Sequence, residues 1–367
     1  MRTPNLRWGI LSTAQIARKV WLAIRNSGCG EVALVASRDR ERAGKFIADC
    51  QKEAPFRQTP AALGDYAALI ESREIDAVYI PLPTGLRKEW VIRAAQAGKH
   101  ILCEKPCAVT AKDLREMLAV CRKHQVQFMD NVMFMHTERL ALMRKVLDDG
   151  KTVGDIRRIS TAFNFNSDAK FFAGNIRTHS GLEPQGTLGD QGWYCLRFAL
   201  WAMKWQLPRR VTGRILSSVA RPKGTAPVPT EFSGELIFAQ GASCDFYCSF
   251  VTALQQRAIV SGTRGSLAIH DFVLPFAGNT LRFETGDMDY KFIGCDAFME
   301  TGKKIWATAE HSNSHADAQE ANLIRNFTKL ARLGKPNARW PEISLKTQQV
   351  LDACLKSARA GGKVVAL

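Results

Sequence analysis

Short apolar runs and amphipathic stretches alternate along the first 128 residues. LRWGILS (6–12) predicts a buried strand, and AQIARKVWLAIRNS (14–27) carries its apolar positions at helical spacing. EVALVAS (31–37) predicts the next strand, with a helix running on to about residue 50. The pattern continues through IDAVYIPLP (75–83), a helix over 85–97, HILCEKP (100–106), a helix over 111–124 and VQFMD (126–130). Nearly continuous apolar strands separated by helices predict βαβ units and a parallel sheet covered on both faces. The expected fold is therefore α/β, with a doubly wound, Rossmann-type parallel sheet in a dinucleotide-binding domain over residues 1–128.

Beyond about residue 130 the period changes. TERLALMRKVLDDG predicts a helix ending at Gly150, and longer β-like runs then dominate: IRRISTAFNF, RRVTGRILSS, SGELIFAQ, ASCDFYCSF, RAIVSGTRGSLAIHD and NTLRFET. Turn signals at Gln240-Gly241 and Thr263-Arg264-Gly265 predict antiparallel hairpins. RPKGTAPVP (221–229) reads as an exposed loop, and helical patterns return near 317–333 and 344–360. Residues 129–367 are expected to form an α+β domain built on one large, mostly antiparallel open sheet.

Composition narrows the class. The 367 residues are 46% hydrophobic, which is ordinary for a globular protein. No segment approaches the ~18 consecutive apolar residues of a membrane span. The start of the chain lacks the apolar stretch of a secretion signal, so a cytoplasmic location is expected, with the ten cysteines as reduced thiols. Neither Cys103/Cys107 nor Cys244/Cys248 has further ligands at zinc spacing, so no metal is expected. The net charge of +16 is shared evenly between residues 1–128 and the rest, without a basic tail. Such a field attracts phosphorylated or carboxylated small molecules. No nucleic-acid motif accompanies it, and no nucleic-acid or membrane partner is expected.

The first βα turn carries a modified glycine fingerprint. Ser12 and Ala14 stand where G-x-G would place glycine, and Ala17 fills the third position, where Gly or Ala is allowed. The smallest side chains still permit close backbone approach to a pyrophosphate, provided the turn does not demand a positive φ. The helix N-terminus offers free N–H groups, and Ser12 and Thr13 add hydroxyl donors. The alternative is a βα turn that binds nothing. After the second strand, where an NAD binder presents a carboxylate to the ribose, this chain has Ser37 and Arg38, with Arg42 one helical turn on. Hydroxyl and guanidinium suit a 2′-phosphate. NADP(H) is favoured over NAD(H), with Asp39 as the competing NAD-type acid.

Two further elements carry chemistry. In HILCEKP, Pro106 disfavours helix at Lys105 and keeps the chain extended, so that the ammonium can project from the carboxyl edge of the sheet. In GTLGDQGWYCLRFALW (186–201), Asp190 and Tyr194 fall on one face of a helix that starts near Gly189. A tyrosine, with a pKa of about 10, is a poor base at neutral pH, but a neighbouring ammonium favours its phenolate. That pairing fits proton exchange with an alcohol or carbonyl during hydride transfer. A solvated lysine and a hydrogen-bonded core tyrosine are the alternatives.

GILSTAQIA, EKP and GDQGWY, in this order and spacing, resemble the Gfo/Idh/MocA (glucose-fructose oxidoreductase / inositol dehydrogenase) family. The resemblance extends through MDNVMFMHTERL, FFAGNIRTHSGL, LQQRAIVSGTRGSLAIHDFVLP and ARWPEISLKTQQVLDA. It is nearest the branch that holds dimeric dihydrodiol dehydrogenase and NADP-dependent D-xylose dehydrogenase. The resemblance implies that Lys105 orients the substrate hydroxyl, Tyr194 is the general acid/base, and Asp190 holds a neighbouring hydroxyl. It places Ser12, Thr13, Ala14, Gln15 and Ile16 on the pyrophosphate, and Ser37 and Arg38 on the 2′-phosphate. The Pro81–Thr84 loop (Leu82, Pro83 and Thr84) and Glu104 line the nicotinamide side. Arg87 departs from the histidine often found after that loop, Thr137-Glu138 replace a frequent X-Pro after His136, and Tyr194 replaces the histidine of many members. His136, His179 and Trp193 have open roles.

The implied activity is an NAD(P)-dependent oxidoreductase, acting on a hydroxyl or carbonyl of a sugar, polyol or cyclic diol lying between Lys105 and Tyr194. A glycosidase using tightly held NAD(H) for transient oxidation and a non-catalytic NADP(H)-binding sensor are the alternatives. The resemblance also implies that residues 129–367 serve substrate binding and oligomerisation, with a homo-oligomer, a dimer or tetramer, formed through the C-terminal sheet.

Overall fold

The computed structural model describes residues 5–221 and 226–367. They fall into two compact units. The first takes in the chain up to His136 together with Gly181–Pro184 and Asn313–Gln348. The second comprises Thr137–Ser180, Gln185–Ser312 and Gln349 onward.

The first unit opens with β1 (Leu6–Leu11), α1 (Gln15–Ser27), β2 (Gly30–Ala36), α2 (Arg40–Glu53), β3 (Ala61–Leu63) and α3 (Tyr66–Glu71). It continues with β4 (Ala77–Ile80), α4 (Thr84–Gln96), β5 (His100–Cys103), α5 (Ala111–Lys123) and β6 (Phe128–Asp130). The six strands run parallel in the order β3-β2-β1-β4-β5-β6. This is the doubly wound Rossmann arrangement that the apolar pattern predicts. All four residues of β4 are buried, as are the last four of β1, because helices cover both faces of such a sheet. The short β3–α3 pair has no counterpart in the sequence prediction: β3 is three residues long and none of them is buried.

The second unit is built on α6 (Glu138–Asp148), β7 (Ile156–Asn166), α7 (Ala169–Gly174), α8 (Trp193–Ala202), β8 (Arg210–Val219), β9 (Val228–Ile237), β10 (Ser243–Ser249) and β11 (Val251–Gly262). It continues with β12 (Ser266–Ile269), β13 (Leu281–Ile293) and β14 (Asp296–Thr308). The chain then runs through α9 (Gln319–Ala331), α10 (Arg339–Arg359) and β15 (Val365–Ala366). Among the described residues, nine strands form one sheet in the order β14-β13-β12-β11-β7-β10-β9-β8-β15, and only the β7–β10 strand pair is parallel. Helix α8 is apolar on nearly every side, and all its residues but Tyr194 are buried, as a core helix requires. Arg139 and Asp271 make a buried ion pair of 2.6 Å within this unit. None of the ten cysteines forms a disulfide, and burial pushes the Cys195 and Cys121 thiols up to about 12.

Two of the differences from the sequence reading are at element boundaries. Of the loop read over 221–229, residues 222–225 lie outside the described residues, and Val228 and Pro229 already belong to β9 with Val228 fully buried. The proline-rich composition hid the start of a strand. Helix α10 begins at Arg339, five residues before the periodic pattern, because Pro341 in a first turn has no N–H bond to lose. Helix α9 completes the first unit. Phe327 packs on Trp8 of β1 at 4.9 Å between ring centroids, and Lys19 of α1 pairs with the buried Glu320 at 2.9 Å. No helix of the described residues is long and apolar enough to cross a membrane.

Candidate functional site

Parallel strands put all their carboxyl ends at one edge, and ligands of open α/β sheets bind there, where the strand order reverses. In the first unit that reversal lies between β1 and β4, which are hydrogen-bonded neighbours. The turns after β2, β1, β4 and β5 therefore line up side by side. They carry Ser37–Arg42, Ser12–Ile16, Leu82–Thr84 and Glu104–Lys105, so the fold gathers every cofactor residue predicted in this unit along one edge.

The β1–α1 turn does demand a positive φ. Ser12 has φ 128°, a conformation that favours glycine and strains any other residue. Its hydroxyl accepts from the Ala14 N–H at 3.3 Å. Ala14 is the N-cap of α1; it makes no side-chain cap bond, and the first turn holds no acidic residue. Gln15 and Ile16 are exposed, while Ala17 is fully buried against the sheet. A small-residue turn leading to an uncapped helix N-terminus fits a pyrophosphate, since the N–H groups and the helix dipole both favour an anion.

At the end of β2 the Ser37 side chain is buried and Arg38 and Arg42 are exposed. Asp39 is the N-cap of α2, its carboxylate accepting from the Glu41 N–H at 2.9 Å. The acid that would compete for a ribose hydroxyl is thus engaged in capping. Tyr66, at the start of α3, lies within the field of Arg38 and Arg42; burial pushes its phenol up against their pull.

The next two turns are tied to each other. Arg87 of α4 is 4% exposed. Its Nε donates to the Leu82 carbonyl at 2.6 Å, and its Nη1 donates to Thr84 Oγ1 at 3.0 Å and to the Pro106 carbonyl. Thr84 in turn donates its backbone N–H (3.0 Å) and its hydroxyl to the carboxylate of Glu183. Glu104 is buried and accepts from Tyr79 Oη at 2.6 Å and from Asn131 Nδ2. Burial and this carboxylate push the Tyr79 phenol well above its ordinary range. Lys105 is half-buried between Glu104 and a cis peptide bond to Pro106. His136 stacks on Trp340 at 4.7 Å.

In the second unit Asp190 lies in a π-helical turn (Leu188–Gly192) that leads directly into α8, and Tyr194 is the second residue of that helix. The predicted helix is thus preceded by a wider turn, and π-turns of this kind recur at functional sites. Arg177 Nε donates to Asp190 Oδ2 at 2.9 Å. Tyr194 is half-buried and meets Phe163 edge-on, with centroids 5.5 Å apart. Trp193 is fully buried against the Arg197 guanidinium and fills the core. His179 is half-buried in the segment before the π-turn.

Three functional-site neighbours escaped the sequence reading. Arg177 and Glu183 flank His179 in a loop without periodic pattern, and Arg87 drew notice only as a departure from histidine. The single acid in SGLEPQG was the one local signal for Glu183.

Residues 6–132 match the family profile described as the oxidoreductase family's NAD-binding Rossmann fold. Residues 140–268 match the Gfo/Idh/MocA C-terminal domain, and 214–367 the oxidoreductase family's C-terminal alpha/beta domain. The chain belongs to the Gfo/Idh/MocA family. It is an oxidoreductase of that family, in the branch that the motifs indicated. Trans-1,2-dihydrobenzene-1,2-diol dehydrogenase of Sus scrofa is 31% identical over 72% of this Gfo/Idh/MocA chain and 74% of its own length. D-xylose 1-dehydrogenase (NADP(+)) 2 of Haloferax volcanii is 28% identical over 98% and 99%. The dTDP-3,4-didehydro-2,6-dideoxy-alpha-D-glucose 3-reductase of Streptomyces violaceoruber is 36% identical, over 58% of each chain. Among solved structures, KijD10, a 3-ketoreductase from Actinomadura kijaniata in complex with NADP and TDP-benzene, superposes with a TM-score of 0.76. It is 25% identical, over 96% of this chain and 98% of that one.

Proposed function

We propose that the protein is an NADP(H)-dependent dehydrogenase or reductase acting on a hydroxyl or carbonyl of a sugar, polyol or cyclic diol. When bound, the nicotinamide accepts or supplies the hydride. Ser12–Ile16 hold the pyrophosphate on the N–H groups of α1, and Ser37, Arg38 and Arg42 hold the 2′-phosphate. The observation that carries the NADP(H) preference is the engagement of Asp39 as a helix cap beside an exposed arginine pair. The names of the xylose dehydrogenase and of the 3-ketoreductase complex support it.

Tyr194 is the acid/base that exchanges the proton of the reacting oxygen, and Lys105 orients the substrate hydroxyl and assists. Asp190, oriented by Arg177, accepts from a neighbouring substrate hydroxyl. The relatives' names, a cyclic diol, a pentose and a deoxysugar, support a substrate with adjacent oxygens. The exposed apolar side chains of β13 and β14, among them Met288, Tyr290, Phe292 and Met299, support a homo-oligomer formed through the open sheet.

The test is a panel of D-xylose, myo-inositol and trans-cyclohexane-1,2-diol with NADP+, and methylglyoxal with NADPH, each repeated with NAD(H). Turnover with the phosphorylated cofactor is expected, with NADPH binding about 10-fold or more tighter than NADH by fluorescence titration. Tyr194→Phe is expected to lower kcat about 100-fold or more with NADPH affinity near that of the parent. Unchanged turnover in that variant removes the assigned acid/base, and cofactor binding without turnover anywhere in the panel favours a sensor.

A further inference from the structure

The turns after β4 and β5 are separate in sequence, and a single side chain spans them. The Arg87 guanidinium serves three acceptors: the Leu82 carbonyl and the Thr84 hydroxyl on one turn, and the Pro106 carbonyl on the other. A planar fork with five fixed donors can meet three acceptors in set directions; a lysine ammonium on a flexible stem cannot hold the same geometry. A cation this buried needs a counter-charge, and Glu183 supplies it, with Oε1 3.9 Å from Nη2. Glu183 is itself fixed, because its two oxygens take the N–H and the hydroxyl of Thr84. The carbonyl that Arg87 holds belongs to the residue next to Lys105. Guanidinium and carboxylate together therefore set where the Lys105 backbone sits relative to the Leu82–Thr84 turn.

We propose that Arg87 and Glu183 are positioning residues for the reaction: they lock the Lys105–Pro106 turn against the Leu82–Thr84 turn, so that the Lys105 ammonium meets the substrate oxygen in a reactive geometry. The proposal rests on the assignment of Lys105 above. The effect of Arg87 and Glu183 reaches the chemistry through Lys105, and a displacement of about 1 Å at such a group lowers turnover by about 100-fold.

The experiment compares Arg87→Lys, Glu183→Gln, the double variant and Lys105→Met in the full-length protein, using the most reactive member of the panel at saturating NADP(H). Lys105→Met is expected to lower kcat more than any of the others. Arg87→Lys keeps the charge and loses the fork; it should lower kcat about 10- to 100-fold, with NADPH affinity and substrate KM within about 3-fold of the parent. Glu183→Gln keeps one acceptor and should fall between Arg87→Lys and the parent. The double variant should be little worse than Arg87→Lys alone, since both residues act through one turn. The pH profile of kcat should shift in Arg87→Lys, a change that loss of folded protein does not produce. Parental kcat and pH profile per folded site in Arg87→Lys and Glu183→Gln, with Lys105→Met inactive, overturn the positioning role and leave the Lys105 assignment standing. Parental kcat in Lys105→Met overturns both.

Discussion

Helices α1 and α4 start at the same edge of one parallel sheet, from adjacent strands, and their N-termini are satisfied in opposite ways. Each has a non-capping residue before it, Ala14 or Pro83, and neither has an acid in its first turn. At α4 the chain supplies the missing acceptors from 99 residues away. Glu183 takes the Thr84 N–H, and the Leu182 carbonyl takes the Gly85 N–H at 2.9 Å. Gly85 is what admits this segment, since a Cβ there would stand 2.3 Å from the Gly181 carbonyl oxygen. At α1 no side chain caps the helix, and the residues around its N-terminus are half-buried or exposed. The four orphan N–H groups of a helix need acceptors from somewhere. A helix start closed by its own chain is architecture; one left to small, uncharged residues is suited to an anion from outside. Helix α6 repeats the first solution, with Glu310 accepting from the N–H groups of Glu138 (3.0 Å) and Arg139 (3.4 Å).

Placing a carboxylate at the open end tests this contrast most strongly. Ala14→Asp sets a charge about 5 Å from a pyrophosphate, worth about 3 kcal/mol at an effective dielectric of 20. NADPH affinity should fall about 100-fold in a fluorescence titration, while the free protein gains about 0.5–1 kcal/mol from the new cap. Affinity within 3-fold of the parent would move the pyrophosphate elsewhere.

Glu310 gives the next largest effect and a pH signature. Burial pushes its carboxyl from 4.5 up to about 7, against the helix N–H groups that favour the charged form. The folded chain therefore binds a proton that the unfolded chain has released between those two values. The stability this group contributes is complete below about pH 4.5 and is lost as pH rises to about 7. The loss amounts to about 2–3 kcal/mol. Urea unfolding of Glu310→Gln should lack this slope, and a slope identical to the parent's would assign it to other groups.

Gly85→Ala attacks the closed end. The segment 181–184 must withdraw, and the bonds to Leu182 and Glu183 weaken, for a loss of about 2 kcal/mol in chemical denaturation. Wild-type stability would mean that the close approach is not needed. The smallest change is at Ser12, where glycine relieves the φ of 128°. Ser12→Gly should stabilise by about 0.5–1 kcal/mol and leave NADPH affinity nearly unchanged. Destabilisation would mean that the hydroxyl bond to Ala14 outweighs the strain.

The parts legible in the sequence were those whose information is local. Strands β1, β4 and β5 announce themselves because both faces are buried. Strand β3 and helix α3 are too short and too exposed to leave a period. The strain at Ser12 was posed by the sequence as a condition, and only the backbone angle answers it. Arg87 and Glu183 could not be paired from spacing, because their contact joins positions 96 residues apart. The return of α9 onto Trp8 is likewise a long-range packing event, with no trace in the amphipathic pattern of either segment.

That return has a consequence for the order of assembly. Residues 313–348 are integral to the first unit, so a chain emerging from the ribosome has its N-terminal sheet long before it has Phe327 to cover Trp8. The apolar flank of β1 and α1 must wait, exposed or chaperoned, until residues 313–348 have been synthesised. The unit that starts first is finished only after most of the other unit's sheet has been made.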